Sequence, residues 1–235
     1  SYIIGSVSRF AREGCHSLRA RQDALQPHSG CAASRHYIST TAIPDATARH
    51  QVIIGADGWL DEVRRIDSPN FDARPPGSSI ELIVIHNVSL PPGSYGGGHI
   101  ERLFTNALDV SADPFFAQIA GARVSAHILI DRDGTTAQFV SFTQRAWHAG
   151  TSVFNGRTHC NDFSIGIELE GTDFEPFADA QYRSLNLLID AILTAYPIKA
   201  VLGHADIAPD RKTDPGPHFD WRRVRIPSSV SFPLA

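Results

Sequence analysis

Apolar and polar positions divide the chain into an unpatterned N-terminal stretch and a regular remainder. After Phe10 no apolar period is found, and "LQPHSGCAASRHYISTTAIP" mixes Ser, Thr, Gly, Pro and Ala without strand or helix spacing. Residues 1–55 are therefore expected to form a poorly ordered or accessory extension, followed by one domain over 56–235. Regular patterning begins at "GWLDEVRRIDSPNFDARP". The run "IELIVIH" (80–86) is continuous, apolar and β-branched, which predicts a strand covered on both faces. Helical spacing follows over 98–108. "SAHILID" and "TTAQFVSF" flank an Asp-Gly turn and predict a hairpin. "FSIGIELEG" (163–171) predicts another strand. Leu185, Leu188, Ile189, Ile192, Leu193 and Tyr196 recur at i, i+3 and i+4, so 178–197 predicts a helix stopped by Pro197. "AVLGH" is a brief last strand. The expected fold class is α/β (α+β), a mixed central sheet flanked by helices.

Composition narrows the function. The 235 residues are 42% hydrophobic and 20% charged, with no apolar run near the roughly 18–20 residues that a membrane span requires. A formal net charge of −4 provides no broad basic surface, so neither nucleic acid nor a membrane is expected as a partner. Charge is uneven, because residues 1–50 hold six arginines against three acids. That bias weakly resembles an organelle transit peptide, though an incidental extension is the plainer explanation. Cys15, Cys31 and Cys160 have no CxxC spacing, which speaks against a disulfide framework or a thiolate metal site and for a reducing compartment.

Three residues carry metal chemistry. His86 ends the first strand, on the face of Leu82 and Val84, where open α/β sheets place ligands. His204 directly follows the last strand, and Asp214 lies ten residues on in a Thr-Asp-Pro-Gly turn. Two imidazoles and a carboxylate leave a fourth position for water, the composition of a catalytic zinc site. Prolines in "KTDPGP" restrict the backbone that aims Asp214. Lys212 is one of only two lysines, the other being Lys199, in a chain where Arg is the default cation. A compact ammonium beside a metal suits an oxyanion. Glu168 and Glu170 share a strand face, and either could serve as a general base; the glycine after Glu170 mildly favours Glu168.

The segments "VIHNVSLPPGSYGG", "RVSAHILIDRDG", "RAWHAGTSVFNGR", "CNDFSIGIELEGTD" and "GHADIAPDRKTDPGPHFDW" together resemble the AmpD-type 1,6-anhydro-N-acetylmuramyl-L-alanine amidases, zinc enzymes of the type 2 N-acetylmuramoyl-L-alanine amidase family. The resemblance spans about Gly58 to Val224. It implies the amidase fold shared with T7-type lysozymes and peptidoglycan recognition proteins. It also implies one Zn2+ per chain on His86, His204 and Asp214, with Glu168 and Lys212 as the catalytic pair. Asn87, Arg123, Trp147 and Arg211 are expected to contact substrate. The expected reaction is hydrolysis of the amide between (1,6-anhydro-)N-acetylmuramic acid and L-alanine of the stem peptide, in cytoplasmic peptidoglycan recycling. The expected partner is a small muropeptide, and a monomer is the expected state. His159 departs from the pattern by standing where the family carries Arg. His127 and His148 lie in matching motifs without ligand roles and are taken as structural. The alternatives are an amidase of polymeric peptidoglycan, which would be exported or carry a wall-binding module, and a zinc-free module that binds muropeptides without cutting them.

Overall fold

A computed structural model describes residues 52–233. In chain order the strands and helices are β1 (Arg64–Arg65), β2 (Phe71–Ala73), β3 (Leu82–Val88), α1 (His99–Phe104), α2 (Pro114–Gln118), β4 (Ile128–Ile130), β5 (Thr136–Gln138), β6 (Gln144–Ala146), β7 (Val153–Phe154), β8 (Arg157–Thr158), β9 (Ser164–Glu170), α3 (Asp179–Ala195), β10 (Ala200–Gly203) and α4 (His204–Ile207). Six strands form the central sheet in the order β1-β5-β4-β9-β3-β10. All its pairs are parallel except β4 with β5, the hairpin closed by the Asp-Gly turn. The sheet is therefore mixed, as the alternating strand and helix patterns predict. The extension expected over 1–55 lies outside the described residues as far as residue 51, while Val52 and Ile54 already pack against the core.

One face of the sheet is closed by α3. Ile83, Ile85, Ile165, Ile167 and Leu169 meet Leu185, Leu188, Ile189 and Ile192 of the helix in one apolar cluster. Buried Gln181 pins the start of that helix. Its Oε1 accepts from the Ala178 N–H at 3.0 Å, and its Nε2 donates to the carbonyls of Glu170 at 2.9 Å and Ile130 at 3.2 Å. The ends of β4 and β9 are thereby tied to the helix. On the other face a smaller cluster holds Leu82, Val84, Ala200 and Leu202. The β3 and β9 strands are buried at every position, as a continuous apolar run requires.

The helix expected over 98–108 is shorter, at His99–Phe104. Asn106 adopts φ 60°. The Ala107 N–H then bonds back to the Arg102 carbonyl at 2.7 Å, and the Asn106 N–H to Leu103 at 3.2 Å, a left-handed turn that ends the helix.

Candidate active site

Parallel register assembles the site. His86 pairs with Glu168, Val84 with Gly166 and Leu82 with Ser164. Residues paired across parallel strands share a face, so His86, Glu168, Gly166 and Ser164 stand together on the side away from α3. His204 starts α4 directly after β10. Asp214 returns to the same point because its carbonyl accepts from the Ala205 N–H at 2.9 Å. Gly203 allows that return: a Cβ there would come within 2.6 Å of Pro215 Cδ.

The metal-type residues converge. His86 Nδ1 and His204 Nδ1 lie 2.9 and 3.0 Å from one oxygen, Asp214 Oδ2. Ligand atoms of the three residues all lie within 4.8 Å of one another. All three side chains are essentially inaccessible. Their hydrogen bonds say more than their proximity. His204 Nε2 lies 2.9 Å from the Ala149 carbonyl oxygen, which can only accept, so Nε2 carries the proton. A neutral His204 therefore turns the bare lone pair of Nδ1 toward an Asp214 oxygen that also only accepts. Positive charge between them, from a proton or a metal cation, removes the repulsion. Asp214 Oδ1, meanwhile, is buried without a hydrogen-bond partner. A His-His-carboxylate donor set arranged in this way fits a divalent cation with one open position.

Electrostatics are consistent with that arrangement. Burial pushes the His86 imidazole down to about 4, His204 adds to the fall, and Asp214 opposes it. Burial disfavours the Asp214 carboxylate, yet its close contacts with the His204 and His86 imidazoles hold its pKa far below the usual range. Glu168 is fully buried, and both of its oxygens lack a partner. Burial first, and the Asp214 charge second, raise its pKa well above that of an ordinary glutamate, with Lys212 opposing. Buried Lys212 is pulled down by desolvation and held up by Asp214. Glu170, the other candidate base, is occupied: Oε1 accepts from the Gly96 N–H at 2.5 Å and Oε2 from the Arg132 N–H at 3.4 Å.

The remaining expected site residues are dispersed. Asn87 is buried, and its Nδ2 donates to Asp173 Oδ1 at 2.7 Å and the Pro215 carbonyl at 3.0 Å, bracing the turn that carries Asp214. Arg211 reaches the 149–151 loop, donating from Nη2 to the carbonyls of Ala149 and Thr151, each at 2.7 Å. It thereby shares the carbonyl that orients His204. Trp147 is half-buried, and its backbone N–H donates to Ser125 Oγ at 3.0 Å. Arg123 is exposed and donates to the neighbouring Ala122 carbonyl at 3.4 Å; among the described residues no hydrogen bond joins it to the metal-type cluster. His159 is exposed, with φ 60°.

Sequence reasoning passed over three residues that touch this centre. His148, taken as structural, hydrogen-bonds His86. Ser164 hydrogen-bonds His148, and Asp173 joins Asn87 to Thr213. For Ser164 a signal was present: in "SIGIELE" the apolar Ile165, Ile167 and Leu169 alternate with Ser164, Gly166, Glu168 and Glu170, which marks a polar face at period two.

Residues 76–217 match the family described as N-acetylmuramoyl-L-alanine amidase. The 1,6-anhydro-N-acetylmuramyl-L-alanine amidase AmpD of Escherichia coli (strain K12) is 57% identical over 171 residues, 72% of this chain and 93% of its own. The AmpD of Haemophilus influenzae is 52% identical over 169 residues, 71% of this chain and 92% of its own. A crystal structure of an AmpD derivative, 55% identical, matches with a TM-score of 0.71 over 74% of this chain and 98% of that one. With a buried metal-type centre on the matched segment, and relatives matched over nearly their whole length, this chain belongs to the N-acetylmuramoyl-L-alanine amidase family.

Proposed function

We propose that this amidase acts on muropeptides carrying the 1,6-anhydro sugar, cutting the amide that joins anhydro-N-acetylmuramic acid to L-alanine of the stem peptide. One zinc ion per chain and cytoplasmic recycling of cell-wall fragments belong to the same reading. The observation that carries the chemistry is the pair of imidazole Nδ1 atoms 2.9 and 3.0 Å from one Asp214 oxygen, beside a Glu168 whose buried oxygens have no partner. Identity of 52–57% across more than nine-tenths of the AmpD relatives supports the anhydro sugar as substrate.

In this reading His86, His204 and Asp214 hold the zinc, which when bound supplies Lewis acidity and acidifies water at its open position. Glu168 takes the proton of the attacking water on a carboxylate oxygen and hands it to the leaving amine nitrogen. Burial raises its pKa above that of an ordinary glutamate, which makes it a stronger base toward that proton. The Lys212 ammonium steadies negative charge on the carbonyl oxygen of the scissile amide. Arg123 and Arg211 are suited to carboxylates of the stem peptide, and Trp147 to the sugar face. Asn87 acts through the turn it braces. Among the described residues no helix is long and apolar enough to cross a membrane.

The test is mass-spectrometric detection of free anhydro-N-acetylmuramic acid and stem peptide from a purified anhydromuropeptide, with and without a chelator. Release that stops with chelator and returns with zinc is expected. No release from a folded, zinc-loaded chain overturns the reading. Equal release from the non-anhydro muropeptide removes the anhydro requirement.

A further inference from the structure

Beyond the three metal-type residues the site holds a third imidazole. His148 is buried, with Nδ1 3.0 Å from His86 Nε2 and Nε2 3.2 Å from Ser164 Oγ. Its seat is built from several elements. Gly166 lies under the ring, where a Cβ would come within 2.4 Å of His148 Cγ. The Asn161 side-chain oxygen accepts from the backbone N–H groups of His148 and Ala149 at 3.3 and 2.8 Å. Behind His148 stands His127, at 5.7 Å between ring centroids. His127 is itself fixed, because its Nδ1 accepts from the Gly166 N–H at 3.0 Å and its Nε2 lies 3.2 Å from the Gln144 carbonyl.

Two neutral imidazoles ending on a hydroxyl can carry their protons in two ways. In one, His86 Nε2–H donates to His148 Nδ1, His148 Nε2–H donates to Ser164 Oγ, and His86 Nδ1 is bare. In the other, Ser164 donates to His148, His148 donates to His86, and His86 carries its proton on Nδ1 toward Asp214. A cation between His86 Nδ1 and Asp214 admits only the first. At His204 the Ala149 carbonyl imposes that state. At His86 the hydroxyl admits both states, so the relay accommodates the site with and without metal.

We propose that His148 and Ser164 are positioning residues that hold the His86 proton on Nε2 and so present Nδ1 to the metal, an inference that rests on the zinc reading above. The test uses the full chain. The zinc dissociation constant is measured by competition with a chromophoric chelator, the His86 ring proton is located by 15N chemical shifts in the zinc-loaded protein, and folding is followed by circular dichroism. Zinc-loaded wild type should show His86 protonated on Nε2. His148→Phe should fold and bind zinc about 10–100-fold more weakly, the usual effect of losing a partner behind a ligand histidine. His148→Gln, whose amide can accept from His86 and donate to Ser164, should recover most of that loss. Ser164→Ala deletes one oxygen and should weaken zinc binding without altering the fold; it decides the matter if His148→Phe does not fold. Wild-type affinity in Ser164→Ala and in folded His148→Phe, or a loaded His86 protonated on Nδ1, overturns the relay alone. A wild-type chain that binds no zinc overturns the zinc reading and the relay with it.

Discussion

Two glutamates on one strand, two residues apart, show that environment decides what a residue does here. Glu170 is held by two backbone N–H groups, while Glu168 is buried with neither oxygen satisfied, an arrangement that stability alone would not favour. Glu168→Gln keeps the shape and removes the proton acceptor. It should leave zinc content unchanged by metal analysis and lower turnover of an anhydromuropeptide by about 10²–10⁴-fold. A variant with wild-type turnover would strip Glu168 of its role. A second carboxyl is perturbed away from the site. Asp131 is pushed up to about 6, by burial first and then by the charges of Glu170 and Glu101, against the pull of Arg64. Because its folded pKa is raised, its share of stability is whole below the unfolded value near 4 and is lost as pH rises through about 6. Asp131→Asn should therefore be the more stable protein at pH 8, by about 1 kcal/mol after allowing for solvent screening of a half-exposed group. Its advantage should vanish below pH 4. Thermal melts of both proteins across that range check the sign, and a pH-independent difference would show that the carboxyl is not the cause.

At the scale of elements, the pattern of residues located the strands and the long helix because burial on a sheet and burial along a helix leave different periods. The hairpin at Asp133-Gly134 and the helix ending before Pro197 were both legible. The shortened α1 was not, since its end depends on Asn106 adopting a left-handed turn that many asparagines do not adopt. The contact between β10 and the Asp214 turn was also invisible, because it joins a glycine to a proline that look like independent breakers. Gly203 has φ −79°, so alanine is tolerated by the backbone there and only the space is lacking. Gly203→Ala should push the Pro215 ring, and with it Asp214, away from the strand. The expected result is a fold weakened by about 1–3 kcal/mol in urea and zinc affinity reduced by roughly tenfold or more. Unchanged affinity would mean that the turn is positioned from its other side, by Asn87 and Asp173.

Across the whole molecule the centre joins segments far apart in sequence, at 86, 148–149, 164–168 and 204–214. Residue types and strand ends nominated His86, His204, Asp214, Lys212 and the pair Glu168 and Glu170, between which the family resemblance chose Glu168. The same features could not nominate His148, whose part depends on which strand lies beside which, and they showed Ser164 only as one position on the polar face of β9. A centre built across the sheet in this way couples metal binding to folding, since the unfolded chain scatters the ligands. An ion bound only by the folded state stabilises it by RT ln(1 + [L]/Kd), about 2.7 kcal/mol at a hundredfold excess over Kd. For a domain of this size that corresponds to a rise of roughly 5–11 °C in Tm. Calorimetry should show this rise on adding zinc to the chelator-stripped chain, and a similar rise in Glu168→Gln, which loses no ligand. Asp214→Ala should show almost none, because the two imidazoles then lack the carboxylate between them. A full rise in Asp214→Ala would place the stabilising ion elsewhere on the protein, and no rise in the wild type would mean that the folded chain does not hold zinc at all.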